Sequence, residues 1–269
     1  MRIGEVPMNE EERIISAHQD LYTAASFHRL LAILNDNTIR SAIARGELSA
    51  AAVARYYEIL GREGFESRSA YATRNYTVAV EAFLADNDLL SAAKAAVFRA
   101  DAALHTLGPE AAIKFLKDAT SLLEKTGDEV LQVRFQTCLA ETLGHLNDDQ
   151  ELQAYKRIIK MTEDLESQPL RAVLHMFQAE ARARHRASAR KTEESIEHAS
   201  NLIVRCTGAE PFNDFLFACQ MAKLCAARPE LGDPQIHLQR AEELSRAGGF
   251  PPGPLLAARR FVHHANRHS

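Results

Sequence analysis

The segment from Gly108 to Gly208 decides the fold, because one spacing of small and apolar residues recurs along it. It reads EAAIKFLKDAT at residues 110–120, QAYKRIIKMT at 153–162 and SIEHASNL at 195–202. Each block places small or apolar residues at spacings of four and three, and the trios are Ala112, Leu116 and Ala119, then Ala154, Ile158 and Met161, then Ser195, Ala199 and Leu202. Successive trios lie 42 and 41 residues apart, and a weaker copy at His237, Ala241 and Leu244 follows after another 42. The recurrence predicts a repeated structural unit.

Spacings of three and four residues place side chains on one face of a helix, so the repeated unit is expected to be helical. The connections between predicted helices are short, which favours antiparallel neighbours. No alternating run of β-branched residues predicts a strand. We therefore expect an all-α fold, an α-solenoid of antiparallel helical hairpins. Stacked hairpins would bury apolar stripes that a single hairpin leaves exposed.

The N-terminal part has less regular helix lengths. Asn9 is placed to cap a long first helix at residues 10–34. Ser49 is placed to cap a later helix, which Gly61 and Gly64 are expected to end. Three parts are predicted: a helical cap or diverged repeats at 1–86, helical repeats at 87–250 and a C-terminal capping helix at 251–269.

The alanine–apolar–alanine spacing resembles the second helix of the tetratricopeptide repeat. Ala112, Leu116 and Ala119 fit that motif, and the later trios fit with one or two substitutions. The usual period of that repeat is ~34 residues, so the longer period here is similar to the branch found in bacterial regulator domains and kinesin light chains. The tryptophan, the Leu-Gly pair and the loop proline of the family's first helix are missing. The resemblance implies a concave groove, lined by the first helices of the repeats, that binds a protein segment.

The composition is that of a globular protein, with 46% hydrophobic and 25% charged residues. The formal net charge of -4 gives no overall attraction to nucleic acid or acidic membranes. No apolar run approaches the ~18 residues that span a bilayer, and the acidic start lacks the apolar core of a secretory signal. The four cysteines lie on apolar helix faces, which favours reduced thiols in a cytoplasmic compartment.

Candidate binding residues lie on the predicted first helices of the repeats, if Ala140, Ala181 and Ala222 are equivalent. The candidates are Arg134, Thr137, Glu141, Arg171, His175, Gln178, Arg182, His185, Cys219 and Lys223. Those between Arg171 and His185 are spaced 4, 3, 4 and 3 residues apart and therefore share one helix face. A cationic face that donates hydrogen bonds suits an acidic peptide or a C-terminal carboxylate. A solvated face without a ligand is the alternative.

Motifs for catalysis and for cofactor or metal binding are missing from the sequence. It has no glycine-rich phosphate loop, no nucleophile elbow and no paired carboxylates on one helix face. His264 and His268 are spaced as metal ligands but have no carboxylate near them in sequence. The basic run at 182–191 contains no aromatic residue, and the segment 38–60 has too few basic residues for a helix-turn-helix DNA reader. We expect no cofactor, no metal and no nucleic-acid or membrane partner.

These observations predict a non-catalytic cytoplasmic scaffold or adaptor that binds a protein or peptide segment in a helical groove. Arg182→Glu is then expected to abolish binding without unfolding the protein. A regulatory sensor domain that closes around a small molecule or signalling peptide is the second hypothesis, and an all-helical enzyme is the third. The C-terminal segment either caps the last repeat or forms a homodimer, through the apolar residues Phe250, Leu255, Leu256, Phe261 and Val262.

Overall fold

The computed structural model describes residues 8–19, 21, 27–67, 69–146, 149–163, 168–185, 189–206, 211–250 and 252–268. Within these ranges the chain forms fourteen α-helices and one short 3-10 turn, with no β-strand. The helices are α1 (Glu10–Gln19), α2 (Phe27–Leu34), α3 (Asn37–Arg45), α4 (Ala50–Glu66), α5 (Ala72–Ala85), α6 (Leu89–Thr106), α7 (Pro109–Thr126), α8 (Glu129–His145), α9 (Gln150–Met161), α10 (Gln168–Arg184), α11 (Ala189–Cys206), α12 (Pro211–Ala227), α13 (Pro234–Gly248) and α14 (Pro252–His268). The predicted all-α class is confirmed, and the predicted solenoid stacking stays a prediction.

The chain divides into two compact units, Met1–Gly127 and Asp128–Ser269. The first unit contains α1 to α7 and the second contains α8 to α14. Within each unit, the strongest packing joins helices that follow one another in the chain. None of the described helices combines the length and the apolar character that crossing a bilayer requires. The sequence-based divisions at residues 86 and 250 concern the repeats and stay predictions.

The single first helix predicted at residues 10–34 is wrong, because the chain turns at Leu21 and forms α1 and α2. The Leu21 N–H donates to the His18 carbonyl at 3.0 Å, which closes a tight turn. Both helices contact α4, and Ile14, Leu21 and Leu30 are buried in one core. A straight helix over residues 10–34 would span about 37 Å. That is longer than the 17-residue α4, so the two halves could not both pack along α4.

The N-terminal caps predicted at Asn9 and Ser49 are confirmed. Asn9 Oδ1 accepts from the Glu12 N–H at 2.9 Å, and Glu12 Oε2 accepts from the Asn9 N–H at 2.9 Å. This reciprocal pair is a capping box, which supplies partners for N–H groups that the helix leaves unpaired. Ser49 Oγ accepts from the Ala52 N–H at 3.3 Å at the start of α4.

The helix end predicted at Gly61 and Gly64 is wrong, because α4 continues through both glycines to Glu66. A Cβ atom at Gly61 would lie 2.8 Å from Tyr76 Cγ, and one at Gly64 would lie 3.1 Å from Ala72 Cα. These pairings show that α4 and α5 run antiparallel and approach closely. Both glycines therefore permit helix contact, and neither ends the helix.

The second unit contains three pairs of packed helices, α8 with α9, α10 with α11 and α12 with α13. Helix α10 also contacts α9 and α12. The first two positions of the repeated trios are buried here, at Ala154 and Ile158 in α9 and at Ser195 and Ala199 in α11, whereas Met161 is exposed. The alanines predicted to be equivalent are all fully buried, and they are Ala140, Ala181 and Ala222.

Helix α14 packs on α12 and α13 through its apolar residues. Leu255, Ala258 and Val262 are buried, and the Phe250 ring lies 5.3 Å from that of Phe215. Phe261 keeps 40% of its surface exposed. Most apolar residues of this segment thus cover the end of the second unit, and the homodimer predicted through α14 stays a prediction.

Candidate binding site

The polar stripe predicted between Arg171 and His185 lies along α10, and its central residues bond to α11. Arg182 Nη1 donates to the Lys191 carbonyl and to Ser195 Oγ, the latter at 2.6 Å. Ser195 Oγ donates in turn to Gln178 Oε1 at 2.9 Å, and both of these side chains are buried. Because Arg182 and Gln178 join the two helices, Arg182→Glu would disturb the hairpin and would not separate binding from folding.

Four basic side chains lie along this surface, and they are termed the basic cluster: Arg171, His175 and Arg182 of α10 and His198 of α11. His175 stacks on His198, with ring centroids 5.3 Å apart and planes inclined by 25°. Burial, together with His198, Arg171 and Arg182, lowers the pKa of His175 to about 4. Every one of these influences disfavours the charged imidazole, and none of them comes from a carboxylate.

Two buried nitrogen atoms of the basic cluster have no hydrogen-bond partner among the described residues. They are Arg171 Nε and His175 Nδ1, and the buried Thr192 Oγ1 of α11 is in the same situation. An unpaired buried polar atom costs about 1–3 kcal/mol, and such atoms can mark a place for a ligand or water. His198 is exposed, and Arg171 and His175 are partly exposed. The edge of the cluster is therefore open to an anion from solvent.

The low pKa of His175 predicts that acid destabilises the protein. The ordinary pKa of histidine is 6.5, so between pH 6.5 and about 4 the unfolded chain binds a proton that the folded chain does not. The free energy of unfolding should therefore fall as the pH decreases through this range. The side chain is partly exposed, which limits the expected contribution to about 1–2 kcal/mol. Urea denaturation at pH 7 and 4.5 measures the decrease in the free energy of unfolding between the two pH values. This decrease should be smaller in His175→Gln than in the wild type, and equal decreases would contradict this assignment.

Two other predicted site residues, His185 and Lys223, belong to a separate group of charges that joins α9, α10 and α12. This ion network consists of Glu151, Glu180, Arg184, His185 and Lys223. Arg184 Nη1 donates to Glu151 Oε1 at 2.7 Å, and His185 Nε2 lies 2.8 Å from Glu151 Oε2. Lys223 Nζ donates to Glu180 Oε2 at 2.8 Å, and Arg184 Nη2 donates to Glu180 Oε1 at 3.4 Å. These cations therefore have carboxylate partners within the fold.

The two glutamates of the ion network are largely buried. Only 1% of the Glu151 side chain is exposed. Burial alone would raise the pKa of Glu180, but Lys223 and Arg184 lower it below the usual value. A Cβ atom at Gly144 of α8 would lie 2.2 Å from Arg184 Nη1 and 2.3 Å from Glu151 Oε1. Glycine at this position of α8 thus leaves the space that the ion pair occupies. A larger residue there would displace the side chains of Arg184 and Glu151.

The remaining predicted site residues lie on helices other than α10 and α11. Arg134, Thr137 and Glu141 are on α8, which packs on α9. Arg134 is exposed, and Thr137 Oγ1 donates to the Val133 carbonyl of its own helix at 2.8 Å. Cys219 of α12 is buried, and burial raises the pKa of its thiol to about 12.

Reasoning from the sequence alone missed α11 as half of this surface. His198 follows Ser195 by three residues, so both lie on the side of α11 that meets the preceding helix. Glu151 was missed as well, although it precedes Ala154 and Ile158 by three and seven residues and shares their buried stripe. A charged residue in a buried stripe requires a partner, and that signal was available in the sequence.

The sequence matches no known family of proteins. A comparison with curated proteins also found no relative. The basic cluster and the ion network are therefore the observations on which a functional assignment depends.

Proposed function

We propose that this protein is a non-catalytic cytoplasmic scaffold or adaptor that binds an acidic protein segment on the surface formed by α10 and α11. The basic cluster carries the proposal. Its four basic side chains come from two helices, and the groups acting on His175 include no carboxylate. An acidic segment would supply the missing negative charge and accept charge-assisted hydrogen bonds. In contrast, Arg184 and Lys223 of the ion network already have carboxylate partners, so their role is to stabilise the fold.

The repeated sequence pattern supports an interaction domain. The trios at intervals of 41 and 42 residues fall on helices, and most of their residues are buried. Helical repeats of this kind bury one stripe against their neighbours and leave an extended surface for partners. The resemblance to tetratricopeptide repeats points to the same class of function.

Two cavities among the described residues fit an adaptor better than a sensor. One cavity of about 720 Å³ is lined by residues of α1 and α3, and another of about 390 Å³ lies beside α14. A sensor that closes around a small molecule needs a cavity that buries most of it. Both of these cavities open widely to solvent, as expected for a protein that binds its partners on its surface.

The test compares Arg171→Glu and His198→Glu with the control Arg190→Glu. Arg190 also lies on this hairpin, but it is 85% exposed and pairs with Glu194 at 3.2 Å. The probe is a fluorescein-labelled dodeca-glutamate peptide, with binding followed by anisotropy at 50 and 200 mM salt. We expect each cluster variant to weaken binding by at least about tenfold, because repulsion replaces attraction, and the control to change it by less than about threefold.

Each variant that loses affinity for the peptide must keep the circular dichroism spectrum and the thermal unfolding of the wild-type protein. The proposal fails if the wild-type protein does not bind the peptide, or if all three variants lose affinity equally. Affinity capture from native cytosol, with elution of the captured protein by the same peptide, then identifies the partner of the wild-type surface.

A further inference from the structure

We propose that the basic cluster is a binding site for a phosphoryl dianion, carried by a phosphorylated side chain of the partner segment or by free phosphate. This inference rests on the proposed function and specifies the chemistry of its ligand.

Once a histidine is protonated, the basic cluster carries more positive charge than one carboxylate can balance. Arg171 is permanently charged, and the stacked imidazoles of His175 and His198 can each accept a proton. Arg182 adds positive potential, although the Lys191 carbonyl and Ser195 already accept its hydrogen bonds. A carboxylate brings one negative charge, whereas a phosphoryl group brings about 1.5 to 2. The dianion therefore fits the cluster better.

The hydrogen-bonding capacity of the cluster points to the same ligand. Arg171 Nε and His175 Nδ1 have no partner among the described residues, and His198 stands exposed beside them on the neighbouring helix. These groups lie on two helices, α10 and α11. The three oxygen atoms of a tetrahedral phosphoryl group can accept from such a set, while a planar carboxylate offers only two oxygens.

The surrounding charges place the anion at the Arg171 end of the cluster. Burial lowers the pKa of Arg182, and the Glu194 carboxylate on α11 partly offsets this effect. This carboxylate makes the Arg182 end less positive. At the other end, the described groups that act on His175 are His198, Arg171 and Arg182, all of them basic. The stacked histidines and Arg171 thus form the part of the surface with the least compensated positive charge.

Binding of a dianion should be coupled to uptake of a proton. In the unliganded protein, burial and the neighbouring basic groups keep His175 neutral. A dianion beside the ring offsets the repulsion from these groups and favours the charged imidazole. Affinity should therefore increase as the pH falls from 7.5 to 5.5, because more histidine is then available in the form that binds.

The experiment uses sulfate, inorganic phosphate and acetate as probes at constant ionic strength. Sulfate keeps its double charge over this pH range, so a change in its affinity reports protonation of the protein alone. Side-chain ¹H–¹⁵N spectra of the histidines follow each titration. We expect sulfate and phosphate to give saturable shifts of His175 and His198, sulfate to bind at least about fivefold tighter at pH 5.5 than at 7.5, and acetate to bind at least about tenfold more weakly than sulfate.

Variants locate the site. Arg171→Gln should abolish the saturable shifts, Arg190→Gln should leave them unchanged, and His175→Gln should remove most of the pH dependence. Thermal unfolding confirms that each variant is folded. An acidic peptide with one phosphoserine identifies the source of the phosphoryl group: tighter binding than phosphate indicates a phosphorylated segment, and equal binding indicates the free ion.

The inference is overturned if the dianions shift neither histidine, or if Arg171→Gln binds them as well as the wild type. If dodeca-glutamate still binds in that case, the proposed function stands without a phosphoryl site. If neither probe binds, both proposals fail.

Discussion

Replacing Arg184 by methionine should lower the free energy of unfolding by about 3 kcal/mol. Arg184 Nη1 donates to Glu151 at 2.7 Å, and only 1% of that glutamate side chain is exposed. Without the guanidinium, the buried carboxylate loses its arginine partner and keeps the hydrogen-bond contact with His185, and Glu180 loses one of its two cations. Urea denaturation at pH 7 measures the loss.

The matched control is Arg190→Met, which also removes an arginine paired with a glutamate. Its partner Glu194 lies 3.2 Å away on the surface and Arg190 is 85% exposed, so we expect a change of about 0.5 kcal/mol or less. The double replacement Glu151→Leu with Arg184→Met should be more stable than Arg184→Met alone, because it removes the uncompensated buried charge. If Arg184→Met lowers the free energy of unfolding no more than Arg190→Met does, the Arg184–Glu151 ion pair does not stabilise the fold.

Replacing Gly61 by alanine should lower the free energy of unfolding by about 1 kcal/mol, the difference between a steric clash that costs about 2 kcal/mol and the better helix propensity of alanine. The added Cβ would lie 2.8 Å from Cγ and 2.9 Å from both Cδ atoms of the Tyr76 ring, and that ring is fully buried against Phe98. The ring cannot swing into solvent, so α4 and α5 must separate. This cost exceeds the gain of about 1 kcal/mol that alanine brings to a helix interior. Thermal and urea unfolding of Gly61→Ala measure the difference.

A double-mutant cycle separates this clash from other effects of the substitution. Tyr76→Leu removes the ring atoms that the new Cβ would meet, at the cost of a cavity. Gly61→Ala should therefore be much less destabilising in the Tyr76→Leu background, with a coupling energy of about 1–2 kcal/mol. A stabilising effect of Gly61→Ala in the wild-type background would mean that the helices do not pack this closely.

The sequence predicted which residues of the candidate site share a face, but not what that face meets. Arg171, His175, Gln178 and Arg182 follow the period of one helix, so their common side is a local property of the chain. Their contact with Ser195 and His198 depends on how two helices pack. For that reason, residues expected to line an open groove also hold the hairpin together.

Gly61 and Gly64 illustrate the same limit in the fold. A glycine in a helical pattern is read from sequence as a helix end, because its backbone has more freedom than that of other residues. Here α5 approaches so closely that only a residue without a side chain fits, and the helix continues. The turn at Leu21 is the converse case, since a continuous helical pattern is interrupted so that both halves reach the same core.

By itself, the sequence determined the helical class, the caps at Asn9 and Ser49, and the burial of the first two positions of the repeated trios. These features depend on interactions within a few residues, which periodicity and capping chemistry report directly. Only the tertiary structure decided that Lys223 and His185 lie against carboxylates, whereas the described groups that act on His175 in the basic cluster are all basic. Those partners lie 34 to 43 residues away in the chain, and the pairing of charges at such separations follows from the packing of helices, which no local pattern encodes.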